Sequence, residues 1–268
     1  MRERRSVIVA LLLLLGAQQV AAVERPRIAI IIDDLGYTLS LGRRVTELPG
    51  AISCAVLPTT PRGRQLAEAA YAAGKEVLLH LPLEAMHEDG KAEPGGISLD
   101  MTRTEFAKTF AEDMQSVPYA IGVNSHRGSL LTRHPGHMTW LMEEISARGN
   151  LIFVDSYTTH ESVALRFARE SGVPAVRRDV FLDPDESAET VAREFERLKN
   201  VAREKGFAVG IGHPYPNTIE LLERELPGLA AEGIELISIS ELVRLKTTNR
   251  KMAVTKTDRN GGTDGLLR

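Results

Sequence analysis

The sequence predicts an α/β fold, a distorted (β/α) barrel of seven or eight parallel strands. Three observations lead there. Short apolar runs rich in β-branched residues alternate with segments of helical spacing, the pattern of parallel strands joined by right-handed crossovers. About seven or eight such units in roughly 220 residues favour a barrel over an open doubly wound sheet. No glycine-rich phosphate loop follows any strand, which removes the main reason to expect a nucleotide-binding sheet.

Taken in order, the chain begins MRERRSVIVALLLLLGAQQVAAVE, with three arginines ahead of a short apolar run, Val7 to Leu15, and Ala21 and Ala22 after it. The run is too short to span a bilayer comfortably, so residues 1–22 read as a secretory signal peptide, with an uncleaved membrane anchor as the alternative. The mature protein is then expected to be exported, periplasmic and free of stable membrane insertion. Strands are expected at RIAIII (27–32), ISCAVL (52–57), EVLLHL (76–81), AIGVN (120–124), LIFVD (151–155), PAVRRDV (174–180), AVGIG (208–212) and ELISIS (235–240). Helices are expected at 63–74, 104–115, 137–149 and 189–206, and a further one carries Thr218 to Leu222. In the first of these, Leu66, Ala69, Ala70 and Ala73 share a face and Gly74 stands where a helix would stop. Phe106, Phe110, Trp140, Phe195 and Leu198 are core positions on these helices. From residue 246 the apolar periodicity is lost, so 246–268 reads as a disordered tail and 23–245 as the barrel domain.

Composition narrows the partners. The formal net charge is −3 and no basic stripe is visible, which argues against nucleic acid. One cysteine, Cys54, excludes an internal disulfide, so the domain stands on its core alone. Cys54 itself reads as a small buried strand residue.

The unusual polar residues gather at strand ends. Asp33 and Asp34 follow the first strand and His80 ends the third. Asn124 and His126 end the fourth, Asp155 the fifth, Asp179 and Asp183 follow the sixth, and His213 the seventh. In a parallel barrel these ends open on one face, where catalytic groups are mounted. Asp, His and His converging on one point suit a divalent transition metal, zinc above all, and three protein ligands leave room for water. One of the paired carboxylates would bind the ion and the other would take a proton from water. Adjacent strand residues point to opposite faces, so the pair can share a site only if the backbone turns after Ile32, which Leu35-Gly36 permits. His87, His134, His137 and His160 read as structural.

In combination, IIDDLG, HLPLE (80–84), GVNSHRGSLLT (122–132), FVDS (153–156), RDVFLD (178–183) and IGHPYP (211–216) resemble the divergent polysaccharide deacetylase family, from about residue 25 to 245. The resemblance implies a periplasmic relative of the metal-dependent carbohydrate deacetylases, with a distorted (β/α) barrel and hydrolysis of an acetyl group on an envelope glycan. It also implies Asp33 as base, Asp34 and His80 as metal ligands, and His213 as general acid. The orthodox enzymes carry HxxxH, whereas this chain has Glu84 in the place of the second histidine. His126 or Glu84 can supply the third ligand; we assign His126, with Glu84, Asn124, Asp155, Asp179 and Asp183 as supporting or substrate-contacting groups. A glycan-binding or envelope-organising protein without catalysis is the alternative, favoured by the missing histidine and by NSHRGS standing where the orthodox arginine motif would be.

Overall fold

The computed structural model describes residues 25–86 and 93–248. The expected signal peptide, His87 and the tail beyond residue 248 lie outside the described residues. The strands are β1 (Arg27–Leu35), β2 (Ile52–Val56), β3 (Glu76–Leu83), β4 (Ala120–Arg127), β5 (Ile152–Asp155), β6 (Ala175–Arg177), β7 (Val180–Phe181), β8 (Phe207–Gly212) and β9 (Glu235–Leu236). The helices are α1 (Leu39–Glu47), α2 (Gly63–Ala72), α3 (Arg103–Ser116), α4 (Pro135–Ala147), α5 (Ala164–Glu170), α6 (Ala188–Lys205) and α7 (Pro216–Glu225). A further helix, α8, covers 239–248 and so runs past residue 245. The short helices α1 and α5 add to those that the spacing marks.

Every strand pairs in parallel, in the order β6-β5-β4-β3-β2-β1-β8-β7, with β9 beside the start of β1. The sheet curls into an incompletely closed barrel, and its two ends belong to one stretch of chain. The strand expected at 174–180 is split: β6 pairs with β5, and β7 with β8. Between them the Arg178 amide donates to the Asp155 carbonyl (3.0 Å) and the Asp179 amide to the Val209 carbonyl (2.9 Å). Successive amides therefore bond to opposite ends of the sheet.

The strand expected at 235–240 is cut short in the same way by local chemistry. Only Glu235 and Leu236 pair with β1. The Ser238 hydroxyl then accepts the Glu241 amide at 3.3 Å, a helix-starting contact that turns an alternating sequence into α8.

Alternation along the strands divides the core in two. Ile28, Ile30 and Ile32 pack outward with Phe106, Phe110, Phe195 and other helix residues. Ala29, Ile31, Leu78, Val154, Val209 and Ile211 fill the barrel, where Ile239, Leu242 and Val243 of α8 join them. The Ser240 amide and hydroxyl bond the carboxylate of Glu76, the first residue of β3, so α8 plugs the N-terminal end of the barrel. Cys54 is buried in β2 and burial pushes its thiol up to about 12, which makes it an inert core group. The opposite end, where strands finish, is left for the site.

One core residue carries a pH dependence. Asp113 of α3 is buried, and its Oδ2 has no hydrogen-bond partner. Burial, helped by the charge of Glu112, pushes it up to about 8. Between the ordinary carboxylate range and that value the folded protein keeps a proton that the unfolded chain releases. Stability therefore falls as pH rises through this window and levels off above it, at up to about 1.4 kcal/mol per pH unit. We expect Asp113→Asn to flatten this fall in denaturation midpoints measured from pH 5 to pH 8. An unchanged slope would show that Asp113 ionises freely in the folded protein.

Candidate metal centre

The inward-facing set of each long strand ends on a polar side chain at the barrel mouth. Ala29 and Ile31 lead to Asp33, Leu78 to His80, and Val209 and Ile211 to His213. On β4, Val123 packs outward and Asn124 and His126 take the inner face. Asp34 should point away from Asp33, but the register of β1 against β2 shifts between Ile32 and Leu35, and Asp34 adopts φ 56°. This bulge with a left-handed residue turns the second carboxylate into the same mouth. Asp residues tolerate that conformation better than most.

Donor atoms converge there. Asp34 Oδ1 lies 3.1 Å from His80 Nε2 and 2.9 Å from His126 Nδ1, and the two ring nitrogens are 3.1 Å apart. Asp34, His80 and His126 can each offer one ligand atom within 4.8 Å of the others. Although both rings touch it, Asp34 Oδ1 is buried without a hydrogen bond of good geometry. The far ring nitrogens explain which way the lone pairs face. His80 Nδ1 bonds Asn124 Oδ1 at 2.9 Å, and His126 Nε2 lies 3.0 Å from Glu93 Oε2. Acceptors at those positions hold one ring proton outward, so the neutral rings turn bare nitrogens inward, as in metal-ligating histidines. Two imidazole nitrogens and a carboxylate oxygen fit a divalent transition metal.

The electrostatics ask for positive charge. Burial opposes a charge on His80, yet Asp33 and Asp34 beside it push it up to about 9. Burial would raise Asp34, but His126 and His80 outweigh it and hold that carboxyl well below the usual range. Asp33 goes the other way: burial, with the Asp34 charge, raises it despite His80, His213 and the Asn124 bond. Its Oδ1 accepts from Asn124 Nδ2 at 2.8 Å and its Oδ2 lies 3.6 Å from His80 Nε2.

His213 faces this group from β8, with Nε2 3.7 Å from Asp34 Oδ2. Its Nδ1 is 2.9 Å from Asp183 Oδ1, while Asp183 Oδ2 accepts the His213 amide (2.7 Å) and the Thr218 hydroxyl (2.8 Å). Burial opposes protonation of His213, but the Asp183 bond and the surrounding carboxylates raise it overall. Asp183 is thus the brace of His213.

The remaining expected residues stand elsewhere. Glu84 Oε2 accepts the Leu99 amide at 2.6 Å, so its carboxylate ties a loop and stays out of the donor cluster. Asp155 follows outward-packed Phe153 and is turned away from the mouth; it binds Ser162, Arg177 and the Tyr157 amide. Asp179 sits at the barrel seam, bonded to the Val209 amide (3.0 Å) and Lys205 (3.4 Å). Three residues near the site were not among those expected there. Ser156 follows inward Val154 and lies 3.5 Å from Asn124 Nδ2; two-residue alternation along LIFVDS points to it rather than to Asp155. Arg178 donates to the Ser156 and Tyr157 carbonyls, and its charge acts on Asp33. Glu93 comes from a loop and carries no periodic signal. A cleft of about 710 Å³ opens beside His126, floored by Leu83 and Ile97 and flanked by Glu93, Leu99 and Leu130.

Comparison with known proteins finds relatives over most of the chain. Uncharacterized protein YibQ of Escherichia coli (strain K12) is 35% identical over 217 residues, 81% of this chain and 67% of its own length. An uncharacterized protein of Haemophilus influenzae is 36% identical over 218 residues, 81% of this chain and 77% of its own. The crystal structure of uncharacterized protein ATU2773 from Agrobacterium tumefaciens C58 superposes with a TM-score of 0.78 at 21% identity, covering 83% of this chain and 91% of the other. Residues 30–243 match the family model described as divergent polysaccharide deacetylase, and the chain belongs to that family.

Proposed function

We propose that this protein is an exported, zinc-dependent hydrolase that removes acetyl groups from an envelope glycan. Family membership implies a polysaccharide as the substrate class. The observation that carries the reading is the convergence of Asp34 Oδ1, His80 Nε2 and His126 Nδ1, with both far ring nitrogens facing acceptors. These three residues would hold the ion. When bound, a divalent cation supplies Lewis acidity toward an acyl oxygen and makes nearby water a better nucleophile.

The chain's own groups do the rest. Asn124 fixes Asp33 through one oxygen, which leaves Oδ2 at the site to take the proton of the attacking water. Asp183 fixes His213 through Nδ1 and, with the surrounding carboxylates, favours the doubly protonated ring, whose Nε2 proton faces the mouth and passes to the departing amine or alcohol. The cleft beside His126 offers room for flanking sugar units.

Protein purified without chelators should contain one equivalent of transition metal by elemental analysis and release acetate from acetylated glycans. Metal-free wild-type protein that still binds glycan would favour the recognition-only alternative. Asp33→Asn should lower hydrolysis by about 10²–10⁴, the usual worth of a general base, with metal content retained. Loss of metal along with activity would mean that the roles of Asp33 and Asp34 are exchanged. Export predicts a mature N-terminus near Val23; sequencing protein recovered from the envelope checks it, and an intact Met1–Ala22 segment would contradict cleavage.

A further inference from the structure

We propose that Glu93 is the positioning residue for His126, fixing which nitrogen that ring presents to the metal; the inference rests on the metal reading above. The two imidazoles are anchored differently. His80 leans on a neutral amide oxygen, that of Asn124, whereas His126 faces a carboxylate, with Glu93 Oε2 3.0 Å from Nε2. A carboxylate draws the ring proton to Nε2 more strongly than an amide does, leaving the Nδ1 lone pair toward Asp34 and His80 and making it a stronger donor.

Glu93 is held for this task from two sides. Its other oxygen, Oε1, is 2.8 Å from Arg127 Nη2. Arg127 adjoins His126, so on a regular strand the two side chains would point apart. Arg127 instead has φ 52° and Gly128 φ 77°, and the strand ends in a turn that lets neighbouring residues grip one carboxylate. This repeats, on β4, the device that brings Asp33 and Asp34 together on β1.

The segment carrying Glu93 is pinned as well. The Pro94 carbonyl accepts the Thr59 hydroxyl at 2.9 Å. The Ile97 amide donates to the Pro82 carbonyl (2.9 Å) and the Glu84 amide to the Ile97 carbonyl (3.0 Å), which lashes the segment to the end of β3. Gly95, at φ 77°, lies so close over Asp113 that a Cβ would come within 2.5 Å of its Oδ1. The carboxylate beside His126 is therefore presented by a fixed backbone. Where the orthodox pattern has a second histidine four residues after the first, this chain uses that position, Glu84, to tie a loop. It draws the second imidazole from β4 and orients it from the 93–97 segment.

The test compares wild type, Glu93→Gln and Glu84→Gln, with zinc affinity measured by chelator competition and cobalt(II) absorption reporting ligand geometry. Glu93→Gln should lose about 10–100-fold in affinity, the scale of an orienting group's loss, and shift the cobalt spectrum. Its thermal midpoint without metal should stay at the wild-type value. Glu84→Gln, which loosens the segment at Leu99 without touching His126, should keep the wild-type spectrum. If Glu93→Gln binds like wild type with the same spectrum, the inference is wrong while the metal reading stands. If both variants lose affinity equally and neither spectrum moves, Glu93 is only a loop tie and the inference also fails. Wild-type protein that takes up no metal removes both.

Discussion

Like charge held in a confined space is the constraint around which the rest of this molecule is arranged. Asp33 and Asp34 are adjacent in sequence and turned to the same mouth, with Asp183 behind them, and burial strips away most of the water that would screen them. Such a group persists only if donors and cations surround it. The strands deliver them: Asn124 to Asp33, His80 and His126 to Asp34, His213 across the mouth, and Arg178 from the seam. The two aspartates respond in opposite senses. Asp34, touching two rings, stays ionised, whereas Asp33, deeper and bonded to an amide, is raised. A pair whose environments separate its protonation behaviour is what division of labour between ligand and base requires.

Most of the architecture is legible in the residues because the strands are long and apolar enough to announce themselves. The barrel and its busy end follow from strand–helix alternation together with the placement of Asp33, His80, Asn124, His126 and His213. What escaped the reading has physical causes. Asp155 attracts notice as a carboxylate closing a strand, but it is out of phase with Val154, and the plainer Ser156 takes the inward place. Asp179 lies where one expected strand breaks to serve both ends of the sheet, a tertiary event that local spacing does not encode. ELISIS alternates like a strand, yet a single serine hydroxyl accepting the Glu241 amide turns it into helix. Glu93 sits in a loop with neither periodicity nor neighbouring motif, so only the folded chain connects it to His126.

Asn124 joins the two halves of the site through one planar group. Its oxygen receives the His80 proton and its nitrogen donates to Asp33, so ring orientation and base orientation are set together. An aspartate there could not donate to Asp33, and a leucine would leave both partners unsatisfied in a buried setting. This dependence makes the amide as informative about the site as any group that would touch the ion.

The seam at 175–181 has a consequence for the fate of the chain before it is fully folded. A sheet with exposed borders offers unpaired amides and carbonyls to any passing strand, the usual start of aggregation. Here each border is only two or three residues long, and both lie in one covalent segment. Too little backbone is presented on either side to recruit a foreign strand, so resistance to polymerisation comes from the shortness of the gap rather than from full closure. That segment pairs with β5 and β8, which lie on either side of it in sequence, so one short stretch of chain ties together the two borders of the sheet.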